Sequence, residues 1–206
     1  MDKFTLNHMH LDVLKEVGSI GTSHAVTSLS VILNKKVEMG LPKVSLVDFN
    51  EVSNFVGGPE SIVAGILVHL SGDINGIMMF LTEDRCCKPL VSELFGATGM
   101  DFSGEDEIAN EAVLSALSEV GNILAGAYLS SFADLIQKRI RPSAPLVCID
   151  MAQAVLSVPA IEFGKISDKV LLIESVFKSS EVDISGYFLL IPDFESFKII
   201  FSSLGV

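Results

Sequence analysis

The chain has 206 residues, of which 49% are hydrophobic and 19% are charged, and its formal net charge is −12. This much apolar surface can offset the entropy lost when the chain becomes ordered, which excludes a disordered protein. The negative charge would repel nucleic acid, and no cluster of lysine and arginine reverses it locally, so we expect no nucleic-acid partner.

Two long amphipathic helices dominate the predicted secondary structure. We expect them over residues 9–34 and 107–138, because apolar residues recur there at three- and four-residue spacing. Each is followed by an extended run that begins near a proline, at 41–49 and 145–151. The other expected elements are strands at 61–70, 73–82, 154–163, 168–178 and 183–191 and short helices at 83–95 and 193–204.

Neither a membrane segment nor a metal site is visible in these elements. No apolar run approaches the roughly 18 uninterrupted residues of a membrane span, and no secretory signal begins the chain. We therefore expect no membrane insertion and a cytoplasmic location. We expect Cys86, Cys87 and Cys148 to be small buried residues, because they have neither a disulfide framework nor zinc-ligand spacing. No set of cysteine, histidine or carboxylate residues completes a coordination sphere, so no metal is predicted.

The two halves of the chain repeat each other. An offset of 103 residues lays DVLKEVGSIGTSHAVTSLSVILNKK on SALSEVGNILAGAYLSSFADLIQKR, and it also brings Pro42 onto Pro145. A second block repeats as DINGIMMFL at 73–81 and DISGYFLLI at 183–191. The economical interpretation is one domain, 1–206, with an internal duplication of about 9–95 and 107–204. We expect an α/β fold (α+β layered): pseudo-twofold helix–strand units share one largely antiparallel sheet, with two long helices side by side on its surface.

A polar pair lies on one face of the second long helix. With Leu117 at the centre of the buried side, the roughly 100° turn per residue places Ser115, Glu119 and Asn122 near the opposite pole. Glu119 and Asn122 are adjacent at i, i+3 and face outward. One turn further on, Gly126 leaves the surface bare, so that a partner's backbone could approach closely.

The first helix has the same pole, formed by Asp12, Glu16, Ser19 and Ser23. The acid recurs at the same place in both helices, but the asparagine has become Ser19. A glutamate and an asparagine on a polar helix face are usually solvated surface, and this interpretation stays open on the residues alone. The recurrence of the acid in a duplicated helix favours a docking face.

The spacing Ser115-x3-Glu119-x2-Asn122-x22-Pro145 resembles the signature of the CheC, CheX and FliY phosphatases of chemotaxis. The resemblance covers nearly the whole chain, and the doubled motif is closest to that of CheC. It implies a phosphatase that hydrolyses the aspartyl phosphate of a CheY-type response regulator in two-component signalling. By this resemblance Asn122 would hold a water in line with the phosphorus, and Glu119 would pair with the receiver's active-site lysine. The protein would need no cofactor of its own, since the Mg²⁺ belongs to the phosphorylated partner.

The first signature departs from this pattern. Asp12-x3-Glu16-x2-Ser19-x22-Pro42 keeps the acid and the proline but lacks the amide, so the resemblance implies a degenerate second site. It also implies the receptor deamidase CheD as a partner, for which the segment around 85–106 is a candidate docking surface. The main alternative is a non-catalytic adaptor that binds a receiver domain or CheD. A nucleotide-dependent enzyme is a distant third, because no G-x-x-x-x-G-K motif is present.

Overall fold

Helices and strands alternate along the chain in the computed structural model, which describes residues 8–33, 36, 38–39, 43–84, 86–87, 91, 107–163, 169–178 and 183–205. The helices are α1 (His8–Leu33), α2 (Val52–Phe55), α3 (Glu107–Ile136), α4 (Ala152–Phe163) and α5 (Phe194–Ser203). The strands are β1 (Glu38–Met39), β2 (Lys43–Asp48), β3 (Ile62–Gly72), β4 (Gly76–Glu83), β5 (Ile140–Pro142), β6 (Leu146–Met151), β7 (Lys169–Lys178) and β8 (Asp183–Pro192). The long helices and the strands expected near β2, β3, β4, β6, β7 and β8 are confirmed.

The strands of the described ranges form one sheet, in which every pair is antiparallel. Its order is β1-β7-β8-β4-β3-β5, with β2 also paired to β7 and β6 also paired to β3. The central pair, β4 and β8, joins the two halves of the chain. Each half also lends an outer strand to the other, since β2 pairs with β7 and β6 with β3. The shared sheet is confirmed, and this exchange of strands supports our proposal that the chain is a single domain.

Apolar side chains cover both faces of the sheet. One core lies between the sheet and α1, α3 and α5, and both long helices contribute to it, for example through Leu14, Leu117 and Leu124. The second core lies on the opposite face, where α2 contributes Val52 and α4 contributes Val155. The fold therefore has three layers, and α1 and α3 lie together on one side of the sheet.

Glycines bring the two long helices close to the sheet and to each other. A Cβ atom on Gly18 of α1 would lie 2.9 Å from Cγ2 of Val44, and one on Gly121 of α3 would clash with Ile66. A Cβ atom on Gly21 would lie 2.5 Å from the ring of Tyr128, which α3 supplies. The paired Gly18 and Gly121 occupy matching places over the sheet, as the duplication predicts.

The expectation of a strand over 154–163 is wrong, because these residues belong to helix α4. Ala152, Val155, Leu156 and Pro159 are buried at the i, i+3, i+4, i+7 spacing of a helix packed on the sheet. The helix follows β6 directly, and its first backbone N–H groups, of Ala152 and Gln153, donate to the carbonyls of Ser61 and Pro59. Valine, leucine, isoleucine and phenylalanine between polar breaks suggested a strand, but burial of this face decides the conformation.

The expectation that all three cysteines are buried is wrong for Cys148, which is exposed, whereas Cys86 and Cys87 are buried. Cys148 is on β6, where it pairs with Gly65 of β3. Strand β6 lies at the edge of the sheet, so no other strand of the described residues pairs with its outer side. Burial raises the pKa of the Cys87 thiol to about 12, so it stays protonated at neutral pH.

One segment of α3, Glu111–Ile136, is long and apolar enough to cross a membrane by length and composition alone. The sequence expectation concerned uninterrupted apolar runs, and this segment is interrupted by Glu119 and Asn122. Half of the segment's most apolar window is buried inside the fold, where its residues pack on the sheet and on α1. A core helix of a folded domain passes the same test for the same reason.

The helix expected at 83–95 is described only in part. Asp84, Cys86, Cys87 and Val91 are helical, and the last three of these are buried. The rest of this helix, and most of the segment 85–106 considered for CheD, lies outside the described residues. The expected helix at 193–204 is confirmed as α5, whose first turn is capped by the Asp193 carboxylate accepting from the N–H of Ser196.

Candidate active site on the paired long helices

The outward face of α3 carries the predicted site residues. Ser115, Glu119 and Asn122 are all exposed, whereas Leu117 and Val120 on the opposite side are buried. The helical geometry therefore separates a packed side from a polar side, as the sequence predicts. Glu119 and Asn122 are one turn apart, and Cβ atoms at this spacing are about 5–6 Å apart, so one partner surface can contact both.

The side chains of Glu119 and Asn122 have no hydrogen bond or ion pair to any other residue that the structure describes. Their carboxylate and amide groups are therefore available to a partner. On α1, by contrast, the Asp12 carboxylate is engaged, since it lies 3.1 Å from Nζ of Lys15. An exposed carboxylate stays hydrated until a partner docks. The interface then removes its water, and a cation on the partner must compensate for the lost hydration.

The surface beyond Asn122 is low and open. A Cβ atom built on Gly126 meets no atom within 4 Å, so this position faces free space. Gly121, on the other side of the helix, lets the backbone of α3 approach Ile66 of β3. One glycine thus seats the helix on the sheet, and the other keeps its outer surface accessible to a partner's backbone.

Pro145 marks the turn between β5 and β6. It is half-buried and directly precedes β6, which begins at Leu146. The adjoining turn is held by the backbone N–H of Ser143, which donates to the carbonyl of His69 at 2.8 Å. Because proline fixes its own φ, Pro145 sets the direction in which the chain re-enters the sheet. It does not lie on the exposed face of α3.

The first signature is on the equivalent face of α1. Asp12 and Glu16 are exposed there, and Ser19 is half-buried, while Pro42 lies outside the described residues. The next turn is occupied by the Ser23 hydroxyl, which donates to the Ser19 carbonyl at 2.8 Å. The amide of the second signature offers two donors and an acceptor, whereas Ser19 offers one short hydroxyl.

A groove beside the first signature was not predicted from the sequence. It has a volume of about 510 Å³ and is lined by Met9, Asp12, Val13, Glu16, Val17, Leu135 and Leu204. Leu135 comes from the end of α3 and Leu204 from the end of the chain, so residues distant in sequence form it. The helical pattern of α1 alone indicates its apolar floor, but the opposing wall depends on the tertiary fold.

The site has no metal cluster of its own within the described ranges. No group of three or more histidine, cysteine, aspartate or glutamate residues there could hold a metal ion. Among the described residues, the exposed face of α3 around Glu119 and Asn122 carries no cysteine, lysine or histidine that could serve as a nucleophile, whereas the α1 face has Lys15, paired with Asp12, and exposed His24. The chemistry that the α3 face can supply is therefore hydrogen bonding and charge, which suit positioning a reactant held by another molecule.

Known proteins share both the sequence and the fold. The CheC-like family matches residues 9–46 and 113–149, which are the two long helices and the segments after them. The chain belongs to this family. It is 35% identical over 199 residues to the CheY-P phosphatase CheC of Bacillus subtilis, covering 95% of this chain and 93% of that protein.

Two solved structures show the same architecture. FliY of Thermotoga maritima superposes with a TM-score of 0.74 at 20% identity, covering 98% of both chains. The chain in the CheX–CheY–BeF3–Mg²⁺ complex from Borrelia burgdorferi superposes with a TM-score of 0.55 at 18% identity, covering 85% of this chain and 96% of that one. At these identities the superpositions confirm the predicted fold class.

Proposed function

We propose that the chain is a phosphatase that hydrolyses the aspartyl phosphate of a CheY-type response regulator in chemotaxis signalling. The observation that carries this is the free, exposed pair of Glu119 and Asn122, which lies inside the second segment matched by the CheC-like family. The whole-length relative at 35% identity bears the name CheY-P phosphatase. A phosphate-release assay with a panel of phosphorylated receiver domains tests the proposal and identifies the substrate.

Asn122 positions the attacking water in this mechanism. Hydrolysis of an acyl phosphate needs little covalent help, so most of the catalysis is in holding the nucleophile in line with the phosphorus. A neutral amide both donates and accepts hydrogen bonds, and it adds no charge beside the anionic phosphoryl group. The exposed position of Asn122 lets it enter the receiver's active site.

Glu119 anchors the helix to the receiver. Its carboxylate pairs with the receiver's active-site lysine, so the two charges compensate each other when the interface excludes water. The Mg²⁺ that balances the phosphoryl charge is carried by the receiver, and the CheX–CheY complex of Borrelia burgdorferi supports this because it contains both Mg²⁺ and BeF3. The chain then needs no metal of its own, and a cytoplasmic location would place it with this substrate.

Reversing the charge of Glu119 should weaken binding to the receiver. Glu119→Lys sets two cations against each other, so we expect the dissociation constant to rise at least about tenfold at low salt. The effect should shrink at high salt, because screening weakens exposed charges. Titration calorimetry at two salt concentrations measures both. Glu60→Lys, an exposed residue before β3, makes the same change of charge elsewhere; equal binding by both variants would remove Glu119 from the interface.

Completing the first signature should create a second active face. In an Asn122→Ala background, Ser19→Asn restores an amide one turn from Glu16, so phosphatase activity should return. In the parent chain the same change should raise activity at most about twofold, since independent sites add. Ser23→Asn places the amide one turn too far along and serves as the matched control. If neither variant regains activity, the docking surface of α1, including His24, has also diverged.

A non-catalytic adaptor is the second candidate function. Ser19 favours it for the first half, because a face without the amide can bind a receiver but lacks the group that positions water. CheD remains a proposed partner by family resemblance. Activity that rises when CheD is added to the phosphate-release assay would support this partner, and unchanged activity would count against it.

A further inference from the structure

One side chain of the sheet lies directly beneath the turn of α3 that carries Asn122. Gly121 precedes Asn122, and the nearest neighbour of a Cβ atom built on Gly121 would be Cγ2 of Ile66, followed by Cβ and Cδ1 of the same side chain, each at 3.3 Å. Ile66 is buried, so close packing holds it between β3 and the helix. Its Cγ2 methyl group therefore sets the distance between the sheet and this turn of α3.

A cavity adjoins the same turn. It has a volume of about 10 Å³, close to what a single water requires. Its walls are apolar and come from α3 and from strands β3, β4 and β8: Ile66, Val68, Met78, Phe80, Gly121, Leu124, Ala125 and Phe188. Atoms that line a void lack contacts on that side. Movement of this turn toward the sheet is therefore opposed chiefly by Ile66.

The duplicated half supports α1 on two side chains. A Cβ atom on Gly18 would lie 2.9 Å from Cγ2 of Val44 and 3.2 Å from Cδ1 of Ile173, which is paired with Val44 across β2 and β7. All three atoms nearest to the corresponding point on α3 belong to Ile66. The helix that carries the amide thus rests on one residue, and the helix that carries Ser19 rests on two.

We propose that Ile66 is a positioning residue for the phosphatase reaction, because it fixes how far the Asn122 amide stands out from the sheet. The inference rests on the proposed function, since it assigns the support of the group that holds the water. Gly121 and Asn122 are neighbours in one helix, so a shift of the backbone at Gly121 displaces the amide with it. A displacement of about 1 Å costs on the order of 100-fold in rate.

Two substitutions of Ile66 separate the Cγ2 methyl group from the rest of the side chain. Ile66→Ala removes this group and enlarges the cavity, so the maximal rate of receiver dephosphorylation should fall about tenfold or more. The chain concentration that gives half of this rate should change less than about twofold, because the charge pair of Glu119 depends only weakly on distance. Ile66→Val keeps Cβ and Cγ2 and should retain the parental rate. Single-turnover decay of the phosphorylated receiver at increasing chain concentrations measures both quantities.

Ile173→Ala is the matched control, because it truncates the corresponding buried side chain beneath α1. This variant should lose stability as Ile66→Ala does and keep the parental rate, since the helix above it has no amide. An unchanged rate in Ile66→Ala, or equal losses of rate in both alanine variants, would overturn this inference and leave the proposed function standing. A parent chain that dephosphorylates no receiver would overturn both.

A complementary pair of substitutions tests the same contact from the other side. Gly121→Ala presses a methyl group against Ile66 and should push α3 outward, which should lower the rate about tenfold or more. When Ile66→Ala is added, the nearest remaining atom is the Cβ of that side chain, at 3.3 Å, so the new methyl group fits and the rate should largely recover. Losses that simply multiply would show that the two positions act independently and would contradict the proposal.

Circular dichroism establishes which of these variants are folded. If Ile66→Ala alone does not fold, the comparison is between Gly121→Ala and the double variant, in which a methyl group again fills the space between α3 and the sheet. A higher rate in the double variant supports the proposal, and an equal or lower rate overturns it.

Discussion

Replacing Asn122 with alanine should lower the rate of receiver dephosphorylation about 100-fold or more. The amide is the group we assign to holding the water, and a misplaced nucleophile costs on the order of 100-fold in rate even at about 1 Å. Stability should change by less than about 0.5 kcal/mol, because Asn122 is exposed and has no hydrogen bond within the described part of the chain. Receiver binding should persist, since Glu119 remains.

The control is Asn54→Ala, which removes the same side chain from an exposed position on α2. That helix covers the opposite face of the sheet, so this variant should hydrolyse the phosphorylated receiver at the parental rate. Single-turnover decay of the phosphorylated receiver compares the two variants. Parental activity in Asn122→Ala would show that the amide does not position the water.

Gly21→Ala should destabilise the protein by about 1–3 kcal/mol. The new methyl group would lie 2.5 Å from the Tyr128 ring, which is fully buried and stacks on Phe188 with ring centroids 5.8 Å apart. Since the ring cannot move aside, α1 must shift away from α3, and overpacking of this kind costs about 1–3 kcal/mol. The gain in helix propensity, at most about 1 kcal/mol, offsets only part of this cost.

Gly126→Ala is the matched substitution on α3 and should have the opposite effect. A methyl group there enters open space, so only the propensity gain of about 0.5–1 kcal/mol remains. Urea unfolding followed by circular dichroism suits both variants, because the chain has no tryptophan. If Gly21→Ala were as stable as the parent, the close packing of α1 on α3 would be wrong.

The sequence predicts the long helices and their outward faces because the evidence for them is local. Leu117 and Val120 repeat at helical spacing, and the turn per residue then places Glu119 and Asn122 on the other side. The duplication adds long-range information, since matching segments must occupy matching places. It predicts a shared sheet, although not the exchange of β2 and β6 between the halves, which depends on the packing of the whole chain.

The features that the sequence does not predict depend on tertiary contacts. Residues 154–163 are rich in strand formers and become helical because their apolar face packs on the sheet. Free cysteines are usually buried, but Cys148 lies on an edge strand and is exposed. The groove brings Leu135 and Leu204 together with Met9, and no local pattern relates residues from three parts of the chain.

We propose that the chain is an enzyme and more than an adaptor. The most direct measurement is the decay of a phosphorylated CheY-type receiver, in Mg²⁺, with the chain present at one-tenth of the receiver's concentration. We predict that the whole receiver pool loses its phosphate faster than it does alone, which requires multiple turnovers by each chain. A decay rate unchanged by the chain, together with binding in a parallel titration, would contradict the account and identify the protein as an adaptor.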